Sequence, residues 1–369
     1  MKFSVLQENL KRGLTAVSHI AGKNPNLPIL NNIKIETKDG NIHLTSTNLE
    51  IGVSSVVRGK VEQDGSFTID AKIISDLINL LPNKKIDIEL LDKKLNINCE
   101  SFNTKVNGLS SDDFPLIPTI ENAIKFSVDV NDLTLGLSQV IFSVAPQDGR
   151  VELSGVYCVV RDGIMTLVGT DSYRLAEKII SISGQIDSEI SVIVPIRTMQ
   201  EIVRIISGIK TLVKVDISIT ENQILFCVDG VELVSRIIEG QYPDYKQIIP
   251  TSYKTKARVS VSECVRSIKA ASIFSKSGVN DVSLDLPDGK NILMISATSG
   301  QVGENISQVE SMVEGIDNSV VVNHRYLLDG LNVLKTEMVD FFVVDGNTPC
   351  IFKPVGIDNY QYIIMPIRQ

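Results

Sequence analysis

The chain carries the same sequence unit three times. The run Lys-Phe-Ser-Val at residues 2–5 returns at residues 125–128, and the leucines that follow each run keep the same spacing. A weaker third copy opens at residues 257–261 with Ala-Arg-Val-Ser-Val. Units of about 123 residues therefore fill the 369-residue chain. This period is too long for a solenoid and predicts three domains of one common fold.

Two proline-containing segments mark the joints between the copies. Residues 113–118 and residues 242–250 each contain two prolines beside aromatic residues. Proline lacks a backbone N–H and disfavours helix at the residue before it, so both segments are expected to be extended connectors. We expect the domains to span residues 1–122, 123–250 and 251–369.

Each copy alternates between two hydrophobic periods. Apolar residues recur at every second position in segments such as 86–90 and 215–219, which is typical of half-buried strands. Helical periodicity predicts two helices per copy, over 8–18, 72–81, 131–142, 197–207, 262–272 and 324–335. The pattern predicts an α+β fold in which each domain is built from two βαβββ halves, with antiparallel sheet carrying helices on one face.

The predicted helices have one apolar face and one polar face. We expect the helix over 72–81 to bury Ile73, Ile74, Leu77, Leu80 and Leu81. In the helix over 197–207, we expect Arg197 and Arg204 to share the exposed face, opposite a buried set of Met199, Ile202, Ile205 and Ile206.

The charge is divided between the helices and the rest of the chain. The protein has 36 basic and 44 acidic residues and a net charge of −8, which does not by itself indicate a nucleic-acid binder. The six predicted helices nevertheless hold nine basic and six acidic residues. A cation recurs at one repeat position, and each is followed four residues later by an acid: Lys72 and Asp76, Arg197 and Glu201, Arg325 and Asp329. These cations are therefore expected either to face phosphate or to form i,i+4 ion pairs.

The sequence contains no recognisable catalytic or metal-binding pattern. Its five cysteines are scattered and never spaced as Cys-x-x-Cys, its three histidines stand beside no nucleophile pattern, and it has no phosphate-binding glycine motif. We therefore expect no catalytic residue, no metal and no cofactor. The N-terminus turns polar too soon for a secretory signal, and no apolar run approaches the roughly 20 residues of a membrane span, so we expect a cytoplasmic protein without membrane contact.

Several motifs, in order along the whole chain, resemble one family. The chain is similar to the bacterial sliding clamps, the β subunits of DNA polymerase III, at residues 1–3, 27–30, 45–50, 113–115, 170–176, 242–245 and 365–368. The resemblance implies a head-to-tail homodimer whose six domains form a ring around double-stranded DNA, with helices inside and sheets outside. It implies sequence-independent DNA binding, because contacts to the phosphate backbone carry no sequence information.

The family resemblance also implies protein partners. These are the DNA polymerase III α subunit, the δ subunit of the clamp loader, and other DNA polymerases and repair proteins that carry clamp-binding peptides. Such a clamp would be a non-catalytic processivity factor associated with the nucleoid. In the family a peptide pocket lies between the second and third domains. Position by position, it would comprise Leu153, Thr170, Ser172, Tyr173, Arg174, Leu175, Pro243, Gln247, Ile248, Asn323, Tyr326, Ile363, Met365, Pro366, Ile367 and Arg368.

Two further sets of positions follow from the resemblance and from the helix cations. The expected DNA-binding residues are Lys11, Arg12, Lys23, Asn24, Lys72, Gln147, Arg197, Arg204, Arg266 and Arg325. The expected dimer contacts are Thr104 and Val106 in the first domain, with Ile273 and Phe274 in the third. The chain departs from the family pattern at Asn24, Tyr173, Gln247 and Gln369, which bears on DNA affinity and peptide preference.

Two other functions are consistent with parts of the sequence. A clamp-like paralogue that acts as a decoy for clamp-binding inhibitors or peptides would share the fold and the pocket. A thiol enzyme would use Cys158 or Cys227 with a distant histidine, and its turnover would be sensitive to thiol reagents.

Overall fold

The structure is a computed structural model that describes residues 1–22, 25–118, 120–146, 149–186, 189–209, 214–276 and 278–368. Four positions singled out in the sequence lie outside the described residues: Lys23, Asn24, Gln147 and Gln369.

Each of the three sequence copies folds as two βαβββ halves, as predicted, and the first copy has one additional strand between its halves (Gly59–Gln63) that pairs with its first strand. The first contains β1 (Lys2–Leu6), α1 (Gln7–Val17), β2 (Asn32–Lys38), β3 (Asn41–Thr47), β4 (Ile51–Val57), β5 (Gly59–Gln63), β6 (Gly65–Asp70), α2 (Ala71–Leu80), β7 (Lys85–Leu91), β8 (Lys94–Cys99) and β9 (Phe102–Asn107). The second contains β10 (Ile124–Asp129), α3 (Val130–Val140), β11 (Gly155–Arg161), β12 (Ile164–Thr170), β13 (Arg174–Ser181), β14 (Ile190–Pro195), α4 (Ile196–Ser207), β15 (Lys214–Ile219), β16 (Gln223–Val228) and β17 (Val231–Arg236).

The third copy repeats the same order. It contains β18 (Thr255–Ser260), α5 (Val261–Ser272), β19 (Asp281–Leu286), β20 (Ile292–Ser299), β21 (Gly303–Gly315), β22 (Asn318–Asn323), α6 (His324–Asn332), β23 (Met338–Val343), β24 (Cys350–Pro354) and β25 (Tyr360–Ile364). Within the described ranges, four short 3₁₀ segments occur in loops, at Pro28–Asn31, Ile141–Ser143, Val151–Leu153 and Tyr245–Ile248.

The two halves of each domain exchange their first strands. In the first copy, β1 pairs with β7 of the second half, and β6 pairs with β2 of the first half. The same exchange joins β10 to β15 and β14 to β11, and later β18 to β23 and β22 to β19. Neither half can therefore complete its sheet without the other.

Internal contacts divide the chain into two compact units. Unit 1 comprises residues 1–130 and 201–237, and unit 2 comprises residues 131–200 and 238–369. Unit 1 holds a five-stranded and an eight-stranded sheet, and unit 2 holds a twelve-stranded sheet.

Two antiparallel strand pairs join successive domains, and each lies within one unit. In unit 1, β4 of the first domain pairs with β17 of the second, and in unit 2, β13 of the second domain pairs with β25 of the third. Both seams follow one rule: the last strand of a first half pairs with the last strand of the next domain's second half.

All six predicted helices are present, with ends within three residues of the predicted bounds. The predicted core of α4 is confirmed, since Met199, Ile202, Ile205 and Ile206 are buried.

The predicted face of α2 was partly wrong. Ile74 and Leu81 are buried as predicted, and Leu77 is half-buried, but Ile73 and Leu80 are 52% and 79% exposed. Ala71 and Ile78 complete the buried side of the helix. The buried positions form a narrower stripe than the predicted set, because a helix packed beside another element buries only the positions closest to its contact line.

Candidate functional site

The loop between β12 and β13 is shaped by two polar side chains. Asp171 Oδ1 accepts hydrogen bonds from the backbone N–H groups of Tyr173 and Arg174, both at 3.0 Å. The Thr170 hydroxyl donates to the carbonyl of Arg174 at 2.6 Å and accepts from the N–H of Ser172 at 3.1 Å. These bonds hold Ser172 at a φ of +76° and leave Tyr173 63% exposed at the loop tip.

Arg174 connects this loop to helix α6. Its Nε donates to Asp171 Oδ2 at 2.9 Å, and its Nη1 donates to Asp329 Oδ2 at 2.5 Å. The guanidinium also lies 4.5 Å from the ring centre of Tyr326 and 5.5 Å from that of Phe142. The side chain is only 11% exposed, so its charge is stabilised by these two carboxylates and two aromatic faces.

An apolar cluster lies beneath the loop and the connector at residues 242–250. Tyr242 and Tyr245 of the connector pack into it, while Pro243, Gln247 and Ile248 stay exposed. The buried members of the cluster are Ala145, Leu153, Val168, Leu175, Ile193, Tyr242, Tyr245, Ile351 and Ile363.

The C-terminal segment closes the other side of the site. The Met365 N–H donates to the carbonyl of Tyr173 at 2.8 Å, and the Ile367 N–H donates to the carbonyl of Val321 on β22 at 2.7 Å. Two backbone hydrogen bonds thus fix the segment between the loop and β22. The ring of Tyr326 stacks on that of Tyr173 with centres 6.5 Å apart.

All sixteen residues predicted for the peptide pocket lie in unit 2, where they differ in exposure. Leu153, Thr170, Leu175 and Ile363 are buried; Arg174, Asn323, Tyr326, Met365, Pro366 and Ile367 are half-buried; Ser172, Tyr173, Pro243, Gln247, Ile248 and Arg368 are exposed. A buried apolar base with a mixed rim is the kind of surface that accepts a short apolar peptide.

Unit 1 presents helix cations around a cleft of about 610 Å³. Lys11 on α1 and Lys72 on α2 line this cleft, and both are exposed. Lys72 forms its predicted i,i+4 pair with Asp76 at 3.2 Å, and Arg12 pairs with Asp229 at 3.5 Å. Exposed ion pairs contribute little free energy, so a phosphate can displace these partners at small cost.

Arg204 has a structural role that the sequence did not predict. Its Nη1 and Nη2 donate to the carbonyls of Thr15 and Ala16 at the end of α1, at 2.8 and 2.7 Å. It also pairs with Glu201, which is 3% exposed, at 2.6 Å. These bonds fasten α4 to the carbonyl end of α1, so the expectation that Arg204 shares an exposed face with Arg197 was wrong.

Three other predicted cations, Arg197, Arg266 and Arg325, are exposed on helices of the chain. The acids expected to pair with two of them are engaged elsewhere. Glu201 contacts His19 Nδ1 at 2.7 Å as well as Arg204, and Asp329 contacts Arg174.

The four predicted dimer contacts differ in their exposure. Ile273 is 68% exposed, and the ring of the adjacent Phe274 lies against Gly303 at the start of β21. Thr104 on β9 is half-buried, whereas Val106 is only 8% exposed and packs within its own unit.

The environments of Cys158 and Cys227 do not suit thiol catalysis. Burial raises the pKa of Cys158 to about 12, and burial followed by the charge of Glu232 raises the pKa of Cys227 to about 11. Both thiols are therefore protonated at neutral pH and are poor nucleophiles. Among the described residues, no helix is long and apolar enough to cross a membrane.

Comparisons with known proteins cover the whole chain. Family models for the N-terminal, central and C-terminal domains of the DNA polymerase III beta subunit match residues 1–118, 127–244 and 246–368. The chain is 28% identical to the beta sliding clamp of Synechocystis sp. and 29% identical to that of Staphylococcus aureus strain Mu50, covering 100% of this chain and 99% of each relative.

Solved structures agree with these matches. The DNA polymerase III beta subunit of Thermotoga maritima has a TM-score of 0.93 at 28% identity, and the sliding clamp of Bacillus subtilis has a TM-score of 0.94 at 26% identity. Each comparison covers 100% of this chain and 99% of the other. With three tandem clamp domains matched in order, the chain belongs to the DNA polymerase III β subunit family, the bacterial β sliding clamps.

Proposed function

We propose that this sliding clamp is a non-catalytic processivity factor that works as a head-to-tail homodimer, a six-domain ring closed around duplex DNA. Its domains would divide at residues 1–122, 123–250 and 251–369. It would tether the DNA polymerase III α subunit and other polymerases or repair proteins through the pocket in unit 2, and it would be placed on DNA by a loader containing a δ subunit. The protein would act in the cytoplasm, at the nucleoid.

The observation that carries the proposal is a pair of open strand edges. In the described residues, β9 pairs only with β8, and residues 303–310 of β21 pair only with β20. By the rule that both seams follow, β21, which ends the first half of the third domain, should pair with the strand that ends the second half of a following domain. β9 is that strand in the first domain. Each protomer has one β9 edge and one β21 edge, so two protomers arranged head to tail can pair all four edges.

The internal seams also fix the register of the proposed pairing. One threonine occupies the equivalent position in each domain: Thr47, Thr170 and Thr298. Their cross-strand partners within the domain are, in the same order, Gly52, Leu175 and Glu304. Across the seams, Gly52 lies opposite Val234 and Leu175 lies opposite Ile363, and both partners are the fourth residue of their strand. The fourth residue of β9 is Lys105. The proposed dimer therefore places Lys105 of one copy opposite Glu304 of the other.

The surroundings of the two edges suit a subunit interface. Ile273 and Phe274 stand beside the start of β21, and Phe102 at the start of β9 is 47% exposed. Apolar and aromatic side chains around paired edges are typical of stable interfaces. Val106 would then contribute through its backbone, because its side chain is already buried.

The exposed helix cations support DNA binding without base recognition. Lys11, Arg12, Lys72, Arg197, Arg266 and Arg325 can each contact phosphate, whereas Arg204 would support α1 rather than bind DNA directly. Phosphate contacts are strongly salt-dependent and independent of sequence, so retention would depend on ring closure and not on affinity alone.

Charge reversal tests the proposed dimer. Lys105→Glu should place like charges opposite each other and Glu304→Lys should do the same, so each variant should shift dimer to monomer in analytical ultracentrifugation. The double variant restores opposite charges and should recover the dimer. Lys94→Glu, on the neighbouring strand β8, is a matched control. A monomeric wild type, or a double variant weaker than both single variants, would contradict the proposed seam.

Retention on DNA tests the ring. After loading onto nicked circular duplex, the wild-type protein should stay bound at high salt and should dissociate when the circle is cut once. Equal loss from circular and linear DNA would show that it does not encircle the duplex.

A further inference from the structure

We propose that Glu177 is a positioning residue of the peptide pocket, whose carboxylate holds the connector at residues 242–250 in its binding position. This inference depends on the pocket proposed above. Glu177 lies on β13, is half-buried, and is not among the sixteen predicted pocket residues.

The Glu177 carboxylate joins three segments of unit 2. Its Oε2 accepts a hydrogen bond from the Tyr245 hydroxyl of the connector at 2.6 Å. Its Oε1 accepts from Gln361 Nε2 on β25 at 2.7 Å, and Gln361 is its cross-strand partner in the seam between the second and third domains. Both oxygens are thus used, one on the seam and one on the connector.

The environment of Tyr245 keeps its hydroxyl a donor. The side chain is 7% exposed, and burial, followed by the hydrogen bond to Glu177, raises the pKa of Tyr245 far above its ordinary value. A hydrogen bond from a neutral hydroxyl to a carboxylate is among the stronger hydrogen bonds in proteins, so this contact is a firm attachment for the connector.

A second attachment lies three residues earlier. The ring of Tyr242 stacks on that of Tyr157, with centres 4.5 Å apart and planes within 4° of parallel. Pro243 lies between the two attachments, and Gln247 and Ile248 lie two and three residues after the second one. Every connector residue of the predicted pocket is therefore within three residues of a fixed tyrosine.

This arrangement assigns Glu177 a role in preorganisation. Its bond to Tyr245 lies beneath the exposed surface of the connector, so losing the bond would leave the peptide-contacting side chains in place but free to move. A mobile wall must be ordered when a peptide binds, and that cost weakens the affinity.

The test measures peptide affinity of the full-length protein by fluorescence anisotropy. The probe is a fluorescein-labelled peptide with adjacent Leu and Phe anchors, and the same peptide with both anchors replaced by Ser is the negative control. Tyr245→Phe removes only the hydroxyl, and Glu177→Ala removes the acceptor. Each should weaken binding about tenfold, by the usual strength of a hydrogen bond to a charged group. The double variant should bind no more weakly than Glu177→Ala alone, because Tyr245→Phe removes a hydrogen bond that Glu177→Ala has already removed.

Glu337→Gln is the matched control, because Glu337 lies in the same unit, is exposed, and among the described residues contributes only its backbone carbonyl, which accepts from the N–H of Val261. It should leave peptide affinity unchanged, and Tyr245→Phe should leave the thermal unfolding midpoint within a few degrees of wild type. Single variants that bind within twofold of wild type, or effects that multiply in the double variant, would overturn the role of Glu177 alone. A wild-type protein that does not distinguish the two peptides would overturn the proposed pocket as well.

Discussion

The same loop occurs in both units, once at residues 47–51 and once at residues 170–174. In the first loop, the Thr47 hydroxyl donates to the carbonyl of Ile51 at 2.9 Å and accepts from the N–H of Leu49 at 3.0 Å. Asn48 Oδ1 accepts from the N–H groups of Glu50 and Ile51, two and three residues later. Asp171 Oδ1 accepts in the same way from the residues two and three positions after it in the second loop. Leu49 has a φ of +77° and Ser172 a φ of +76°.

The two loops differ in the side chains that surround this shared frame. Gly52 follows the first loop, and a Cβ there would lie 2.7 Å from the side chain of Ile117 in the first connector. The equivalent residue after the second loop is Leu175, which belongs to the buried apolar cluster beneath the proposed pocket. The first site is thus covered by its own connector. At the second site, Leu175 shares a buried cluster with Tyr242 and Tyr245 of the second connector, and the C-terminal segment is hydrogen-bonded to the loop.

The comparison separates what makes the loop from what makes the pocket. A Thr followed by an Asn or Asp shapes this loop in both places, because the two side chains form hydrogen bonds with backbone N–H and C=O groups that have no strand partner in the loop. The pocket depends on which residues the connector supplies, and these differ between the repeats. We therefore expect one peptide site per chain, in unit 2.

The largest predicted effect comes from giving the second loop a residue of the first. Arg174→Ile copies Ile51 and leaves Asp171 and Asp329 without their cation. Asp171 is 12% exposed and Asp329 46%, so we expect a loss of about 3 kcal/mol in stability, at the lower end for broken buried pairs. Chemical denaturation followed by near-UV circular dichroism measures this loss, and peptide affinity should fall with it.

The control for this change is Arg161→Ile, which breaks an exposed pair with Glu189. We expect a change within about 0.5 kcal/mol, as for other surface pairs. If the two variants lose equal stability, Arg174 does not hold the loop in the way its contacts indicate.

Sequence periodicity predicted the repeated elements well, because each depends on neighbours a few residues away. The six helices and the βαβββ order follow from local hydrophobic spacing. The loop motif could also have been recognised in advance, since Thr47-Asn48 and Thr170-Asp171 hold the same repeat position.

Contacts between distant residues could not be predicted in this way. Of the three expected i,i+4 pairs, only that of Lys72 and Asp76 is seen. Asp329 instead contacts Arg174, which is 155 residues away, and Glu201 contacts His19, which is 182 residues away. Similarly, nothing near Glu177 in the sequence indicates that Tyr245 will reach it. Such partners are set by how the repeats pack, which a single unaligned sequence does not contain.

An intermediate effect is expected from giving the first loop a residue of the second. Gly52→Leu copies Leu175 into a space that Ile117 already occupies, and such overpacking costs about 1–3 kcal/mol. Adding Ile117→Ala vacates that space, so the double variant should be more stable than the sum of the single effects predicts, as thermal unfolding can measure. Strictly additive losses would mean that Ile117 does not cover this site. Isothermal titration should still show one peptide per chain in every variant.

The smallest predicted effect concerns the positive φ angles that the loops share. Leu49→Gly and Ser172→Gly each remove the steric cost of a left-handed conformation, which is roughly 1–2 kcal/mol for a residue with a Cβ. Each also raises the conformational entropy of the unfolded chain, which costs about 0.5–1 kcal/mol of stability. Both should therefore stabilise the protein by about 0–1.5 kcal/mol. Ser172→Gly should gain less, because it also removes an exposed 3.1 Å hydrogen bond from Arg150. Only Ser172→Gly should change peptide affinity. If Leu49→Gly altered peptide affinity equally, the first loop would be a peptide site as well. The contrast between a covered first loop and an open second loop would then be wrong.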